Sequence, residues 1–214
     1  MSDLDLQQGS PEWLAARVGS LGASRVADAI ARTKTGYGAS RANLMAELIA
    51  ERLTGQPAER FTNAAMQGGN DKEPDARAAY EFLTDADVSL VGHIRHPLID
   101  GSHASPDGLV GDAGLVEIKC PNTATHIDTL LGQKVPAKYV TQMQWQMACT
   151  GRRWCDFVSF DPRMPEAMRL FVARVTRDEP AIAELEREVA TFLAELSGKV
   201  AELQLLFSRE RAAA

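Results

Sequence analysis

The stretch Ser105–Lys119, SPDGLVGDAGLVEIK, decides the fold of this chain. Glycine and aspartate in Gly111–Gly114 favour a tight reversal, so the flanking apolar segments are predicted to pair as a β-hairpin. Successive side chains of an extended strand point to opposite faces, which places Glu117 and Lys119 on one face. The valine and isoleucine on the other face would be buried in a core, and the carboxylate and the ammonium group would be held together opposite them.

The first strand of this hairpin would bring Asp107 alongside Glu117 and Lys119. Two carboxylates and one lysine in one cleft suit a hard divalent metal ion bound through oxygen, with a cation beside the water that is activated. The alternative is a solvated charged face, because acidic and basic residues two positions apart on a strand are common and the pattern is short enough to occur by chance. Evidence from the rest of the sequence is needed to choose between these two interpretations.

Length and composition are those of a globular protein. The chain has 214 residues, of which 45% are hydrophobic and 24% charged, and one domain spanning residues 1–214 is predicted. No apolar run approaches the roughly 20 residues that cross a bilayer, and the N-terminal MSDLDLQQGS is too acidic for a signal peptide. Three cysteines without a CxxC spacing indicate neither a zinc site nor a disulfide framework, which fits the cytoplasm.

Charge is unevenly distributed along the chain. The net charge of −6 argues against nucleic acid as a partner, but the segment Arg17–Arg41 has five basic residues and one acidic residue. From Asp178 to the C-terminus there are eight acidic and four basic residues, which we interpret as a solvated helix face.

Helix signals dominate the first third of the chain. Ser10 and the proline after it predict a helix start, and that helix is expected to end near Gly19. Ser24 is predicted to cap a second helix, so that Arg17 and the free N–H groups of that helix could bind a phosphate. The alternative is that Ser24 is only a cap and Arg17 only a surface residue. Ser40 is predicted to cap a third helix that runs through Leu53.

A fourth helix is predicted after Asp71, which we expect to be its cap, and it places Glu73 in the first turn. A glutamate there is favoured by the helix dipole, which is the alternative to a functional role. Short strands are predicted at 88–91 and 97–99, and helices at 123–131 and from Pro136 onward. The last of these helices carries Tyr139, Gln142, Met143 and Gln146 on one stripe, and its buried amides indicate polar groups that face a cleft.

Two alternating strands, 154–160 and 168–175, and a long amphipathic helix at about 179–207 complete the pattern. The helix is expected to pack on the body or on a neighbouring subunit. The predicted fold class is therefore α/β, with a mixed central sheet of about five strands flanked by helices.

Four blocks, in order, resemble one nuclease family. They are WLAARVGSLGAS at 13–24, GGNDKEPDARAAYE at 68–81, SPDGLVGDAGLVEIKCP at 105–121 and KYVTQMQWQMACTG at 138–151. Together they resemble the phage lambda exonuclease group, which includes the alkaline exonucleases and YqaJ-type recombinases, within the PD-(D/E)xK nucleases. The resemblance covers roughly residues 8–176, and the acidic C-terminal segment matches nothing in that family.

The resemblance implies a catalytic centre with two Mg²⁺ ions, for which Mn²⁺ could substitute. Asp107, Glu117 and the backbone carbonyl of Ile118 would bind one ion, and Glu73 would be an additional ligand. Lys119 would orient and activate the attacking water, with its pKa lowered by the nearby cations.

The other implied roles concern the substrate. Gln142 would help to position the water, Tyr139 would lie near the substrate strand, and Arg17 and Ser24 would hold the 5′-phosphate of a DNA end.

The function implied by the resemblance is a 5′→3′ exonuclease that degrades one strand of double-stranded DNA and leaves 3′ single strands for a single-strand annealing protein. The family further implies a homotrimeric ring, in the cytoplasm of a bacterial host and of phage or prophage origin, with DNA in a channel that the Arg17–Arg41 segment would line or approach. Two alternatives stay open: a structure-specific or restriction-like endonuclease of the same superfamily, and a non-catalytic subunit that binds DNA ends.

Overall fold

A computed structural model describes residues 6–58 and 71–212. Its helices are α1 (Pro11–Arg17), α2 (Val26–Ala29), α3 (Ala39–Thr54), α4 (Glu73–Thr84), α5 (Thr123–Gly132), α6 (Ala137–Thr150) and α7 (Glu179–Ala212). Its strands are β1 (Leu21–Gly22), β2 (Arg32–Thr33), β3 (Gly36–Tyr37), β4 (Val88–Ser89), β5 (Ile94–Arg95), β6 (Ser102–Ala104), β7 (Gly108–Val110), β8 (Gly114–Lys119), β9 (Trp154–Phe160) and β10 (Leu170–Thr176). Short 3₁₀ turns lie at Ala23–Arg25 and Glu166–Met168.

The central sheet has five strands in the order β10-β9-β8-β7-β4. Strands β8 and β9 are parallel, whereas the other neighbours are antiparallel, so the predicted mixed five-stranded sheet with flanking helices is confirmed. The predicted hairpin is also present, with Gly108 opposite Val116. Gly111 in its turn has a φ of +49°, a left-handed conformation that glycine adopts without strain.

Strand β8 is buried on both faces, and each face meets a different layer of helix. Val116 and Ile118 pack with Tyr80 of α4 on one face. On the other face, Leu115 packs with Met143 of α6 and with its neighbours. The predicted alternation therefore holds, and Glu117 points to the α6 side of the sheet.

A third apolar cluster joins the N-terminal helices to α7, and a three-stranded sheet in the order β1-β6-β5 lies beside it. Trp145 of α6 and Phe192 of α7 are completely buried there. This cluster fixes α6 from the side opposite the central sheet, so the helix that faces β8 is held from both directions.

Several predicted boundaries are wrong. Ser24 lies inside the 3₁₀ turn and caps neither that turn nor α2, whose N-cap residues are Gly22 and Arg25. Ser40 is inside α3, which begins after Gly38, and Asp71 precedes the N-cap of α4, which is a lysine. The segment 97–99 forms a turn, and the strands lie on either side of it, in β5 and β6. The C-terminal helix extends to residue 212.

The acidic helix α7 is more than a solvated face, which corrects that interpretation. Glu188 binds Arg32 at 2.6 Å and Glu195 binds Arg41 at 2.8 Å. The basic early segment and the acidic late segment thus neutralise part of each other's charge within one chain.

Within the described ranges, no helix combines the length and the apolar character needed to cross a membrane.

Candidate active site

Three of the predicted site residues meet at one end of the β7–β8 hairpin. Asp107 directly precedes β7, and its Oδ2 accepts a hydrogen bond from the backbone N–H of Ile118 at 2.6 Å. The Nζ of Lys119 contacts Oε1 of Glu117. The hairpin register therefore brings Asp107, Glu117 and Lys119 together as the sequence predicts.

Helix α6 supplies two amides to the same site. Gln142 donates its Nε2 to Oε1 of Glu117 at 2.7 Å, and Gln146 donates its Nε2 to Oε2 at 2.5 Å. The two glutamines are four residues apart and so lie on the same side of the helix. Both carboxylate oxygens of Glu117, which is completely buried, thus have a hydrogen-bond donor.

Glu73 approaches from the other layer, at the N-terminus of α4. Its Oε1 lies 3.7 Å from the guanidinium of Arg77. Burial raises the pKa of Glu73, the charges of Arg77 and Lys119 lower it, and the charge of Glu117 raises it. Glu73 is thus an acidic residue in the first turn of a helix, as the alternative interpretation predicts. It is also close enough to Lys119 and Glu117 for their charges to shift its pKa.

The carboxylates strongly affect one another. Desolvation raises the pKa of Asp107 well above its usual range, and the negative charges of Glu117 and Glu73 raise it further. Burial lowers the pKa of Lys119, but the carboxylates of Glu117 and Asp107 outweigh burial and raise it. The lowered lysine pKa expected from the resemblance depends on bound cations and stays a prediction.

Tyr139 lies at the edge of this cluster. Its ring stacks on Phe157 with the centroids 5.4 Å apart, and the Nζ of Lys119 is 5.5 Å from its centroid. The Nζ of Lys138 lies 4.7 Å from the same ring. The ring thus stands between a packed interior and two cationic groups.

Arg17 forms a second cluster next to the site. Its guanidinium donates to Oγ of Ser105 at 3.0 Å and lies 4.0 Å above the ring of Trp13. Arg17, Ser20, Arg25 and His103 line a small cavity. Ser105 is two residues before Asp107, so this cluster and the carboxylate cluster are joined by one short segment. Ser24 is exposed and is not among the lining residues.

Three contributors to these clusters were not assigned a role from the sequence. The sequence indicates Gln146 only as part of the polar stripe, although it contacts Glu117 as closely as Gln142 does. The sequence pattern assigns no role in the site to Trp13 or Ser105. A buried amide one turn after Gln142 was a usable signal for Gln146, whereas the contacts of Trp13 and Ser105 span 92 and 88 residues and have no local signal.

The donors suit a hard cation. Carboxylate and carbonyl oxygens are the ligands that Mg²⁺ prefers, and a divalent cation would relieve the repulsion that raises the pKa of Asp107. Over residues 6–58 and 71–212, no three His, Cys, Asp or Glu side chains are grouped tightly enough to hold an ion by themselves. An ion at this site would therefore need Asp107 and Glu117 together with a further oxygen, for which the resemblance implies the backbone carbonyl of Ile118.

Comparison with solved structures gives close relatives. The alkaline exonuclease LHK-Exo from Laribacter hongkongensis is 54% identical and aligns with a TM-score of 0.88 over 94% of this chain and 99% of its own. LHK-Exo in complex with dAMP matches with the same values. A phage-related exonuclease from Haemophilus somnus 129PT has the same fold, at 16% identity and a TM-score of 0.71 over 86% of this chain and 96% of its own.

A search of curated proteins found no match. The model of the YqaJ-like viral recombinase domain, however, matches residues 12–153, about two thirds of the chain, and this range includes every residue of the two clusters. The chain therefore belongs to the YqaJ-like viral recombinase family.

Proposed function

We propose that this protein is a Mg²⁺-dependent exonuclease that degrades one strand of double-stranded DNA in the 5′→3′ direction. The observation that carries the proposal is the convergence of Asp107, Glu117 and Lys119 at one end of the β7–β8 hairpin. Similarity to LHK-Exo supports a DNA exonuclease, and its dAMP complex contains a deoxynucleoside monophosphate, the kind of product that exonucleolytic hydrolysis releases.

Each residue of the site would have a separate role in phosphodiester hydrolysis. Asp107, Glu117 and the carbonyl of Ile118 would hold one divalent cation, and Glu73 would contribute to a second. Such ions supply charge stabilisation to the phosphodiester and lower the pKa of the attacking water. Lys119, next to Glu117, would orient that water, and Gln142 would donate an amide hydrogen beside it. Tyr139 would lie along the substrate strand.

The Arg17 cluster would hold the 5′-phosphate of the DNA end. A guanidinium fixed by Ser105 and by an aromatic face is already oriented for a phosphate, so little side-chain entropy is lost on binding. Its connection to Asp107 through Pro106 would set the distance from the bound end to the scissile bond. Ser24, which is exposed on the 3₁₀ turn, remains part of this proposal through the family resemblance alone.

We extend the proposal to a single nuclease domain that assembles into a homotrimeric ring and delivers 3′ overhangs to an annealing protein. This extension rests on the resemblance. Arg25, Arg32 and Arg41, in the segment expected to approach the DNA channel, bind Glu47, Glu188 and Glu195, so DNA phosphates would compete with these carboxylates. A processive monomer would contradict the ring.

One experiment tests polarity and the 5′-phosphate site together. A linear duplex carrying one 5′-phosphorylated and one 5′-hydroxyl end is followed over time with Mg²⁺, and faster loss of the strand that begins with the phosphate is expected. The substitution Arg17→Ala should remove the difference between the ends. Loss of strands from their 3′ ends would overturn the assigned polarity.

A circular duplex provides the matched control for the alternatives. An end-dependent enzyme leaves it uncut, whereas an endonuclease opens it. The substitution Lys119→Ala separates catalysis from mere end binding, since unchanged degradation by this variant would show that the assigned chemistry is wrong.

A further inference from the structure

The amide of Gln146 is enclosed in the protein beside Glu117. Both side chains are completely buried, and the Gln146 Nε2 to Glu117 Oε2 distance is 2.5 Å. Of the two, only Glu117 contacts Lys119 and Gln142, which are partly exposed at the cleft. Whatever Gln146 contributes to the site must therefore pass through Glu117.

The orientation of this amide follows from hydrogen-bonding chemistry. A carboxylate only accepts hydrogen bonds, so Gln146 must turn its NH₂ group toward Glu117 and its carbonyl oxygen away. On that far side, Sγ of Cys155 in β9 donates to Oε1 of Gln146 at 3.9 Å. A thiol at the far end thus favours the rotamer in which the amide nitrogen faces the carboxylate.

The two oxygens of Glu117 have different surroundings. Oε2 faces the buried amide of Gln146, whereas Oε1 faces Lys119 and the partly exposed Gln142 at the cleft. Fixing Oε2 restricts rotation of the carboxylate about its terminal torsion, and so fixes the direction in which Oε1 is presented to the cleft.

We propose that Gln146 is a positioning residue that holds the Glu117 carboxylate in the orientation in which it binds a divalent cation, with Cys155 setting the direction of the amide. This inference deepens the proposed function and rests on it, because it requires Glu117 to be a cation ligand. Groups that orient a metal ligand typically change metal affinity or activity by 10–100-fold when they are removed.

Helix α6 contains a matched control. Gln144 is nearly as buried as Gln146, but it points to the start of α7, where it donates to the carbonyl of Thr176 at 2.8 Å and accepts from the N–H of Asp178 at 3.0 Å. Replacing either glutamine by methionine keeps the side-chain length and removes one buried amide. Only the change at Gln146 alters the surroundings of Glu117.

The test is direct binding of Mn²⁺ to the full chain, with free Mn²⁺ measured by electron paramagnetic resonance. Gln146→Met is expected to raise the Kd about 10-fold, and Gln144→Met to leave it within about twofold. Gln146→Asn, which keeps an amide but is too short to reach Glu117, should behave like Gln146→Met and serves where the methionine variant folds poorly.

The Mg²⁺ dependence of nuclease activity gives a second readout, because loss of stability alone would not change the Mg²⁺ requirement while leaving kcat at saturating Mg²⁺ intact. Gln146→Met should need about 10-fold more Mg²⁺ for half-maximal nuclease activity and should recover most of kcat at saturating Mg²⁺. Cys155→Ala should shift the Mg²⁺ requirement in the same direction by less.

Glu117→Ala separates failure of this inference from failure of the proposed function. Wild-type Mn²⁺ affinity in Gln146→Met and Gln146→Asn, together with lost binding in Glu117→Ala, would overturn the inference and leave the metal site standing. Undiminished binding in Glu117→Ala would overturn both. An equal loss of affinity in Gln144→Met would show a general effect of α6 and would also overturn the inference.

Discussion

Two aspartates at the same end of the central sheet have opposite electrostatic surroundings. Asp161 directly follows β9, and its buried carboxylate accepts hydrogen bonds from the guanidinium of Arg163 at 2.7 Å and from the hydroxyl of Thr123 at 2.7 Å. Asp107, before β7, accepts one backbone N–H and lies near the charges of Glu117, Lys119 and Glu73, of which only the lysine lowers its pKa.

The pKa values express this difference. Burial raises the pKa of Asp161, but its hydrogen bonds to Arg163 and Thr123 outweigh burial and lower it to about 2. Burial and the neighbouring negative charges raise the pKa of Asp107 well above its usual range. A carboxylate with its own cationic partner stabilises the fold, whereas a buried carboxylate that shares one lysine with other carboxylates lowers stability until a cation binds. Asp161 therefore stabilises the framework, whereas Asp107 has the surroundings expected of the cation ligand that we propose it to be.

The largest effect is expected from Asp107→Asn. Removing the proposed cation ligand should lower nuclease activity about 10³-fold, since a metal ion contributes several kcal/mol to transition-state stabilisation and each 1.36 kcal/mol is tenfold. The same change should raise the thermal stability measured in EDTA, because it removes a negative charge from the cluster. The measurements are a rate assay on linear duplex and a thermal melt at pH 8.

The pH dependence of that stability has a definite sign. The pKa of Asp107 is raised by folding, so its ionisation favours the unfolded chain, and wild-type stability in EDTA should fall as pH rises from the unfolded-state pKa through the raised value. Asparagine does not titrate, so the variant should lose this contribution. A variant less stable than the wild type at pH 8 would contradict the electrostatic account.

Cation binding should give the next largest effect. Mg²⁺ at about 100 times its Kd should stabilise the wild-type protein by about 2.7 kcal/mol, because a ligand that binds only the folded state stabilises it by mass action. The Asp107→Asn variant should show little of this gain, whereas Asp161→Asn should show all of it. Thermal melts with and without Mg²⁺ measure the gain, and full stabilisation of Asp107→Asn would remove Asp107 from the ligand set.

The sequence predicts only part of the geometry on which these effects depend. The hairpin and the shared face of Glu117 and Lys119 depend on turn residues and a period of two, both of which are local. The cap assigned to Ser24 was wrong because β1, just before it, pairs with β6, some 80 residues later, and a 3₁₀ turn follows that pairing. No local pattern encodes such a contact.

The charge pattern likewise gives no information on contacts between residues far apart in the sequence. A run of acidic residues on an amphipathic helix is typical of a solvated face, yet Glu188 and Glu195 bind arginines more than 150 residues earlier. Likewise, the polar stripe on α6 predicted a cleft, but only packing shows that Gln142 reaches the cleft while Gln146 is enclosed behind it.

A smaller effect, on stability rather than activity, is expected from Asp161→Asn. The pKa of Asp161 falls from 3.8 to about 2 on folding. The unfolding free energy of the variant at pH 7 should therefore be about 2 kcal/mol lower than that of the wild type. This contribution is complete above the unfolded-state pKa and disappears as pH falls toward 2, so the difference from the wild type should shrink over that range. Denaturant unfolding at pH 7 and pH 3 measures it, with activity per folded molecule unchanged.

The smallest effect isolates one hydrogen bond of the framework carboxylate. Thr123→Val removes the hydroxyl that donates to Asp161 and should cost about 1 kcal/mol of unfolding free energy, the usual net value of one hydrogen bond. Thr125→Val, on an exposed position of the same helix, controls for the change in helix propensity. Equal losses in both variants would mean that the hydroxyl contributes nothing to Asp161. A loss confined to Thr123→Val, with Mg²⁺ stabilisation intact, would show that the two aspartates are energetically separate although they lie at the same end of the sheet.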